Sequence, residues 1–128
     1  MTDEQTKRSI LVVDDEEAVR GAVSLALERE GYDVVSASSG ADALTKVAQQ
    51  KFDAAILDVR MPEMTGFDVM HAVRRMCPET AIIILTAMAD PDDRYESLTR
   101  TAGAFAYLKK PCKLQVLKET LERAFVER

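Results

Sequence analysis

Ile10-Leu11-Val12-Val13-Asp14-Asp15 is a short, unbroken, β-favouring apolar run that stops at two carboxylates, and a helical pattern follows it at once. An apolar run without alternation is the signature of a strand buried on both faces of a parallel sheet. From Glu16 onward Val19, Ala22, Val23, Ala26 and Leu27 recur at helical spacing, with acidic residues in the first turn and Gly31 just past the end. The alternation then repeats: Asp33 to Ala37 as a strand and Gly40 to Gln50 as a helix, then Phe52 to Leu57 and Gly66 to Met76. Ala81 to Leu85 is the next strand, roughly Asp92 to Thr101 a weaker helix, Ala104 to Leu108 the last strand, and Leu114 to Phe125 an amphipathic helix through Leu114, Leu117, Leu121 and Phe125. Five such units imply right-handed crossovers and an open parallel sheet with helices on both faces, because they are too few to close a (β/α)8 barrel.

With 128 residues the chain has room for one domain. Apolar residues at 47% and charged residues at 30% are ordinary for a globular protein that buries a core and unlike a disordered chain. Seventeen Lys and Arg against 22 Asp and Glu leave a net charge of -5, with no clustering of basic residues, which disfavours direct nucleic-acid binding. Cys77 and Cys112 lie far apart with no metal-type spacing, so neither a disulfide framework nor a structural zinc site is expected, and reduced thiols in a cytoplasmic protein fit. Met1 to Ser9 is polar with no apolar signal core, and no apolar run approaches the roughly 18–20 residues of a membrane span. Residues 1–8 are expected to be a flexible leader and 9–128 the folded domain.

In open α/β sheets ligands sit beyond the C-terminal strand ends, at the topological switch point. Here those ends hold Asp14 and Asp15 after the first strand, Asp58 after the third, Thr86 after the fourth, and Lys109-Lys110-Pro111 after the fifth. Carboxylates gathered a few ångströms apart repel one another unless a cation holds them ionised. With few ligands, all oxygen, Mg2+ keeping several waters suits such a site better than zinc or a caged calcium. An open Mg2+ position beside a Lys and a Thr hydroxyl is a phosphoryl-group site. An Asp carboxylate can be the acceptor, and Asp58 is best placed because Asp14 and Asp15 can serve the metal. The loop after it, Met61 to Gly66, carries a φ-fixing Pro62 and a permissive Gly66 that suit a tight turn into the next helix.

Asp14-Asp15, Asp58-Val59-Arg60-Met61-Pro62 with Gly66, Thr86-Ala87 and Tyr107-Leu108-Lys109-Lys110-Pro111 together resemble the receiver domain of two-component response regulators, of the chemotaxis-regulator type, over roughly Ser9 to Arg128. The resemblance implies a flavodoxin-like (βα)5 three-layer sandwich with a five-stranded parallel sheet of order 2-1-3-4-5. It further implies that Asp58 accepts a phosphoryl group from the phosphohistidine of a sensor histidine kinase or histidine phosphotransfer protein. Asp14 and Asp15 would hold Mg2+ with Asp58 and the Arg60 backbone carbonyl, and Lys110 would contact the phosphoryl oxygens. Thr86 would donate its hydroxyl to the new group, with Tyr107 swinging from exposed to buried behind it. Lys110 rather than Lys109 is the family's lysine because it stands immediately before Pro111, often across a cis peptide. The surface of the fourth helix, fifth strand and fifth helix would serve an effector or a second copy of the chain. Such a domain is a phosphoacceptor rather than an enzyme, assisting its own phosphorylation and dephosphorylation.

Some positions depart from the family's commonest pattern. The interval from Thr86 to Gly103 is long, and Cys112 stands where an aromatic residue is usual, read as a small core thiol. Arg60 and Met88, each two residues past a site residue, are candidates for screening the water that hydrolyses the acyl phosphate. His71, the only histidine, has no second ligand or base at a matching spacing and reads as a helix residue. Glu16 and Glu17 read as charges answering a helix N-terminus. A flavin-binding electron carrier would need a phosphate-cradling loop where Asp14 to Glu17 stand, and an aspartyl phosphohydrolase would need Asp-x-Asp after the first strand. A module that kept the fold and lost the chemistry would lack a member of the set, and none is lacking.

Overall fold

Apolar residues fill the inner strands apart from Ser9 and Thr86 at their ends, and the chain folds so that both faces of those strands are covered. The computed structural model describes residues 7–59, 66–87 and 94–127. Along them run β1 (Ser9–Val13), α1 (Glu17–Arg29), β2 (Asp33–Ala37), α2 (Gly40–Gln49), β3 (Ala54–Leu57), α3 (Gly66–Met76), β4 (Ala81–Thr86), α4 (Arg94–Thr101), β5 (Ala106–Lys109) and α5 (Leu114–Glu127). The strands form one parallel sheet of order β2-β1-β3-β4-β5, as expected from the sequence.

Because successive strand residues point to opposite faces, the sheet sorts its side chains into two cores. Leu11, Val13, Leu57, Ile82 and Ile84 meet Ala43 and Val47 of α2 and Val69, Met70 and Val73 of α3 on one face. Ile10, Val12, Ile56, Ile83 and Leu85 meet Leu27 of α1 and Leu117 and Leu121 of α5 on the other. Tyr107 of β5 joins the first core and its neighbour Ala106 the second.

The strand boundaries depart from the sequence reading where a residue has another task. Ala104, expected to open the last strand, closes α4 instead, its N–H bonding Thr99 O at 2.9 Å after Gly103 turns the chain at φ 111°. Asp53, expected inside the third strand, places its carboxylate on the Ser9 N–H at 2.8 Å. Arg8, expected in a flexible leader, is held: its carbonyl accepts the Asp33 N–H at 2.9 Å and its guanidinium lies 4.6 Å over the Phe125 ring. Asp92, where the sequence reading begins the fourth helix, lies outside the described residues. No helix among the described residues is long and apolar enough to cross a membrane.

Leu121 is wholly buried between α5 and the sheet, whereas Val126 on the same helix is 83% exposed. Leu121→Ala is expected to lower the unfolding free energy in urea by about 2–5 kcal/mol, and Val126→Ala by less than about 0.5 kcal/mol. Equal losses at the two positions would contradict this assignment of the core.

Candidate functional site

The strand register sets the chemistry side by side. Val13 pairs with Leu57, so the residues that follow them, Asp14 and Asp58, leave the sheet as neighbours. Thr86 pairs with Lys109, which brings Lys110 to the same end. Backbone bonds carry the ladder one step past the strands, from Asp58 N to Val13 O at 3.1 Å and from Lys110 N to Thr86 O at 2.9 Å. This end is also the switch point of the topology, since the chain leaves β1 to one side for β2 and crosses back to β3 on the other.

The Lys110 ammonium donates to Asp14 Oδ2 at 2.6 Å and to Asp58 Oδ2 at 3.0 Å, and the Thr86 hydroxyl donates to Asp58 Oδ1 at 2.8 Å. Asp14, Asp58 and Thr86 are all buried. Burial works against the charged form of Lys110, but its hydrogen bonds to Asp14 and Asp58 outweigh it and raise the ammonium above the ordinary lysine range. Lys109, one residue earlier, is exposed.

Asp14 is held at every polar atom. Its Oδ1 accepts the Glu16 N–H at 2.9 Å, its N–H donates to Ala37 O at 3.2 Å, and its carbonyl accepts Arg20 Nη1 at 2.9 Å. Among the described residues, the carboxylate oxygens that come within 4.8 Å of one another belong to Asp14, Glu16 and Asp58. Sequence reasoning named Asp15 as the third carboxylate and gave Glu16 to the helix terminus. Asp15 is exposed and lies outside that group, while Glu16 is the N-cap residue of α1. Its side chain makes no capping bond, and one of its oxygens lies 3.7 Å from Lys110 Nζ. Asp15 nonetheless lines the same cleft, of about 350 Å3, with Glu16, Asp58 and Ala87. Three carboxylates facing one ammonium leave negative charge over, and an all-oxygen donor set in an open cleft fits a hard divalent ion such as Mg2+.

Gly66 serves the site by its lack of a side chain. A Cβ there would collide with the Asp58 carbonyl and lie 2.6 Å from Val59 Cα, so α3 can start against the Asp58 backbone only through glycine. The sequence suggested a permissive turn residue; the cause is close approach rather than a left-handed φ. Tyr107, expected to swing from exposed to buried, is already buried here, 6% exposed, and the Lys110–Pro111 peptide is cis. Arg60, Pro62 and Met88 lie outside the described residues. His71 is exposed on α3. Cys112 is half-buried against the α1 and α5 core rather than fully packed, and burial pushes its thiol up, away from the thiolate a redox sensor needs.

Residues 10–122 match the family model of the response regulator receiver domain. The chain is 37% identical over 107 residues to the probable transcriptional regulatory protein TcrX of Mycobacterium tuberculosis, covering 84% of this chain and 45% of that protein. It is 40% identical over 118 residues to the transcriptional regulatory protein ZraR of Salmonella typhimurium, covering 92% of this chain and 26% of that protein. The chain thus spans less than half the length of these curated relatives. Among solved structures, the chemotaxis protein CheY4 of Vibrio cholerae superposes with a TM-score of 0.82 at 38% identity, over 92% of this chain and 98% of that one. The response regulator TrrA of Thermotoga maritima, in complex with Mg2+ and BeF, superposes with a TM-score of 0.81 at 33% identity, over 91% and 98%.

Lys110→Met would leave the buried carboxylates of Asp14 and Asp58 facing each other without their cation. In the absence of Mg2+ it is expected to lower the unfolding free energy by roughly 3 kcal/mol. The folded chain holds the Lys110 proton more tightly than the unfolded chain, so the contribution is fully present below the ordinary lysine value of 10.5 and is lost as pH rises through the higher folded value. Urea titrations of the two proteins should therefore differ by a constant amount at neutral and mildly alkaline pH and converge above pH 10.5. A difference that grows with pH there would contradict the pairing.

Proposed function

The chain belongs to the response regulator receiver domain family, and on that premise we propose that Asp58 accepts a phosphoryl group from the phosphohistidine of a sensor histidine kinase or histidine phosphotransfer protein. In the transfer an Asp58 carboxylate oxygen forms the new O–P bond, the N–P bond of the donor breaks, and the imidazole leaves with the bonding pair and takes up a proton. One observation supports this above the rest. The Asp58 carboxylate has an ammonium 3.0 Å from one oxygen and a hydroxyl donor 2.8 Å from the other, so charge arriving there meets a fixed cation and a fixed donor.

Asp14, Asp15 and Asp58, with the Arg60 carbonyl, would hold Mg2+, whose chemistry when bound is to set positive charge against the phosphoryl oxygens. Beryllium fluoride is a phosphoryl mimic, so the Mg2+ and BeF complex of TrrA lends support from a relative. Lys110 keeps hold of one side of the arriving group. Thr86 transfers its hydroxyl bond from the carboxylate to the phosphoryl oxygens, drawing the end of β4 inward and keeping Tyr107 packed behind it. The surface of α4, β5 and α5 would then report the state to an effector, to a second copy, or to an output segment of a longer regulator in the cytoplasm. Arg60 and Met88 would set the lifetime of the acyl phosphate, whose loss the domain assists itself.

Intact-mass analysis after incubation with acetyl phosphate, with and without Mg2+, tests the acceptor chemistry on wild type and Asp58→Asn. The expected result is one phosphoryl adduct that needs both Mg2+ and Asp58. An equal adduct on Asp58→Asn, or none on wild type under conditions that modify a known receiver, would overturn it.

A further inference from the structure

Arg20 takes no part in the chemistry described above, yet it reaches back six residues from α1 to donate Nη1 to the Asp14 carbonyl at 2.9 Å. This is not a pairing of helix neighbours, which join residues three or four apart. The carbonyl belongs to the peptide that links Asp14 to Asp15, so the bond fixes the plane from which Asp15 projects. Asp15 is exposed, and among the described residues its side chain makes no hydrogen bond or ion pair. With no such partner to aim it, the region its carboxylate can reach is set by the direction of its Cα–Cβ bond, and Arg20 is the side chain that bonds the backbone carbonyl just before it. The other ties on this turn, Glu16 N–H to Asp14 Oδ1 and Asp14 N–H to Ala37 O, fix the atoms on either side of the Asp14–Asp15 peptide but not its carbonyl.

We propose that Arg20 is a positioning residue of the cation site: it locks the Asp14–Asp15 peptide so that Asp15 faces the cleft it shares with Asp58. A guanidinium suits this task because its planar fork is always charged and holds a carbonyl in a fixed direction. The role rests on the reading of the cleft as a Mg2+-dependent phosphoacceptor site.

Calorimetric titration of the whole chain with Mg2+, on wild type, Arg20→Ala and Arg20→Lys, tests the proposal without any activity readout. Loss of a group that orients metal ligands typically weakens affinity by one to two orders of magnitude, so Arg20→Ala is expected to bind Mg2+ about tenfold more weakly. Arg20→Lys should fall between the two, since an ammonium restores the charge but not the fork. Phosphoryl uptake from acetyl phosphate at limiting Mg2+ should fall in step, and saturating Mg2+ should recover it. A residue that only stabilised α1 would lower the denaturation midpoint and leave the Mg2+ affinity of the folded protein alone. Wild-type Mg2+ affinity in Arg20→Ala would overturn the proposal, and if that variant does not fold, wild-type affinity in Arg20→Lys at every pH from 6 to 9 would do so. A wild type that binds Mg2+ but takes up no phosphoryl group would overturn the phosphoacceptor reading alone, while one that binds no Mg2+ would overturn both.

Discussion

The ammonium of Lys110, held between Asp14 and Asp58, is the contact on which the rest of this end of the molecule depends. Two carboxylates that leave neighbouring strands cannot be buried together without a cation, and the sheet supplies one from its far edge. That supply requires β5 to pair with β4 in the observed register, so that the residue after Lys109 arrives level with the ends of β1 and β3. The parallel order of the strands is thus a condition of the site's charge balance as well as a way of burying Val, Ile and Leu.

Around this pair the backbone is fitted closely. Gly66 lets α3 begin against the Asp58 carbonyl, and Arg20 and Ala37 tie Asp14 from two sides. Asp15 and Glu16 stay at the open mouth of the cleft, where charge is left uncompensated. The result is a closely tied Asp58 behind a charged, open rim. Thr86, wholly buried at the end of β4, touches Asp58, and Tyr107, two residues before Thr86's partner Lys109 on β5, is packed in the α2 and α3 core. Thr86 thus links Asp58 directly to β4, which pairs with β5.

Much of this was legible in the sequence because the inner strands hold unbroken apolar runs, Ile10 to Val13, Ala54 to Leu57 and Ala81 to Leu85, that stop at polar residues. Runs such as Ile10 to Val13 announce a doubly covered sheet, and the list of strand-end residues then names Asp14, Asp58, Thr86 and Lys110. Residues whose role depends on how helices are set against strand ends were not legible. Glu16 looks like an ordinary helix-terminus charge until the cap is seen to leave its side chain unused, and its place next to an acidic pair was the one available signal. Arg20 carries no local pattern, because its partner lies across the turn rather than along the helix. Gly66 reads in the sequence as a permissive turn residue, and its steric contact with Asp58 is visible only in three dimensions. Ala104 was assigned to a strand by its apolar run, and the backbone bond that closes α4 overrode that pattern.

A crystal structure of the chain soaked with Mg2+ and beryllium fluoride tests the central claim most directly. The beryllium is expected to bond an Asp58 carboxylate oxygen, with Lys110 Nζ and Thr86 Oγ1 on its fluorides and the metal held on the Asp14, Asp15 and Asp58 side of the cleft. An adduct on another residue, or Lys110 still bridging Asp14 and Asp58 with the metal bound elsewhere, would contradict it.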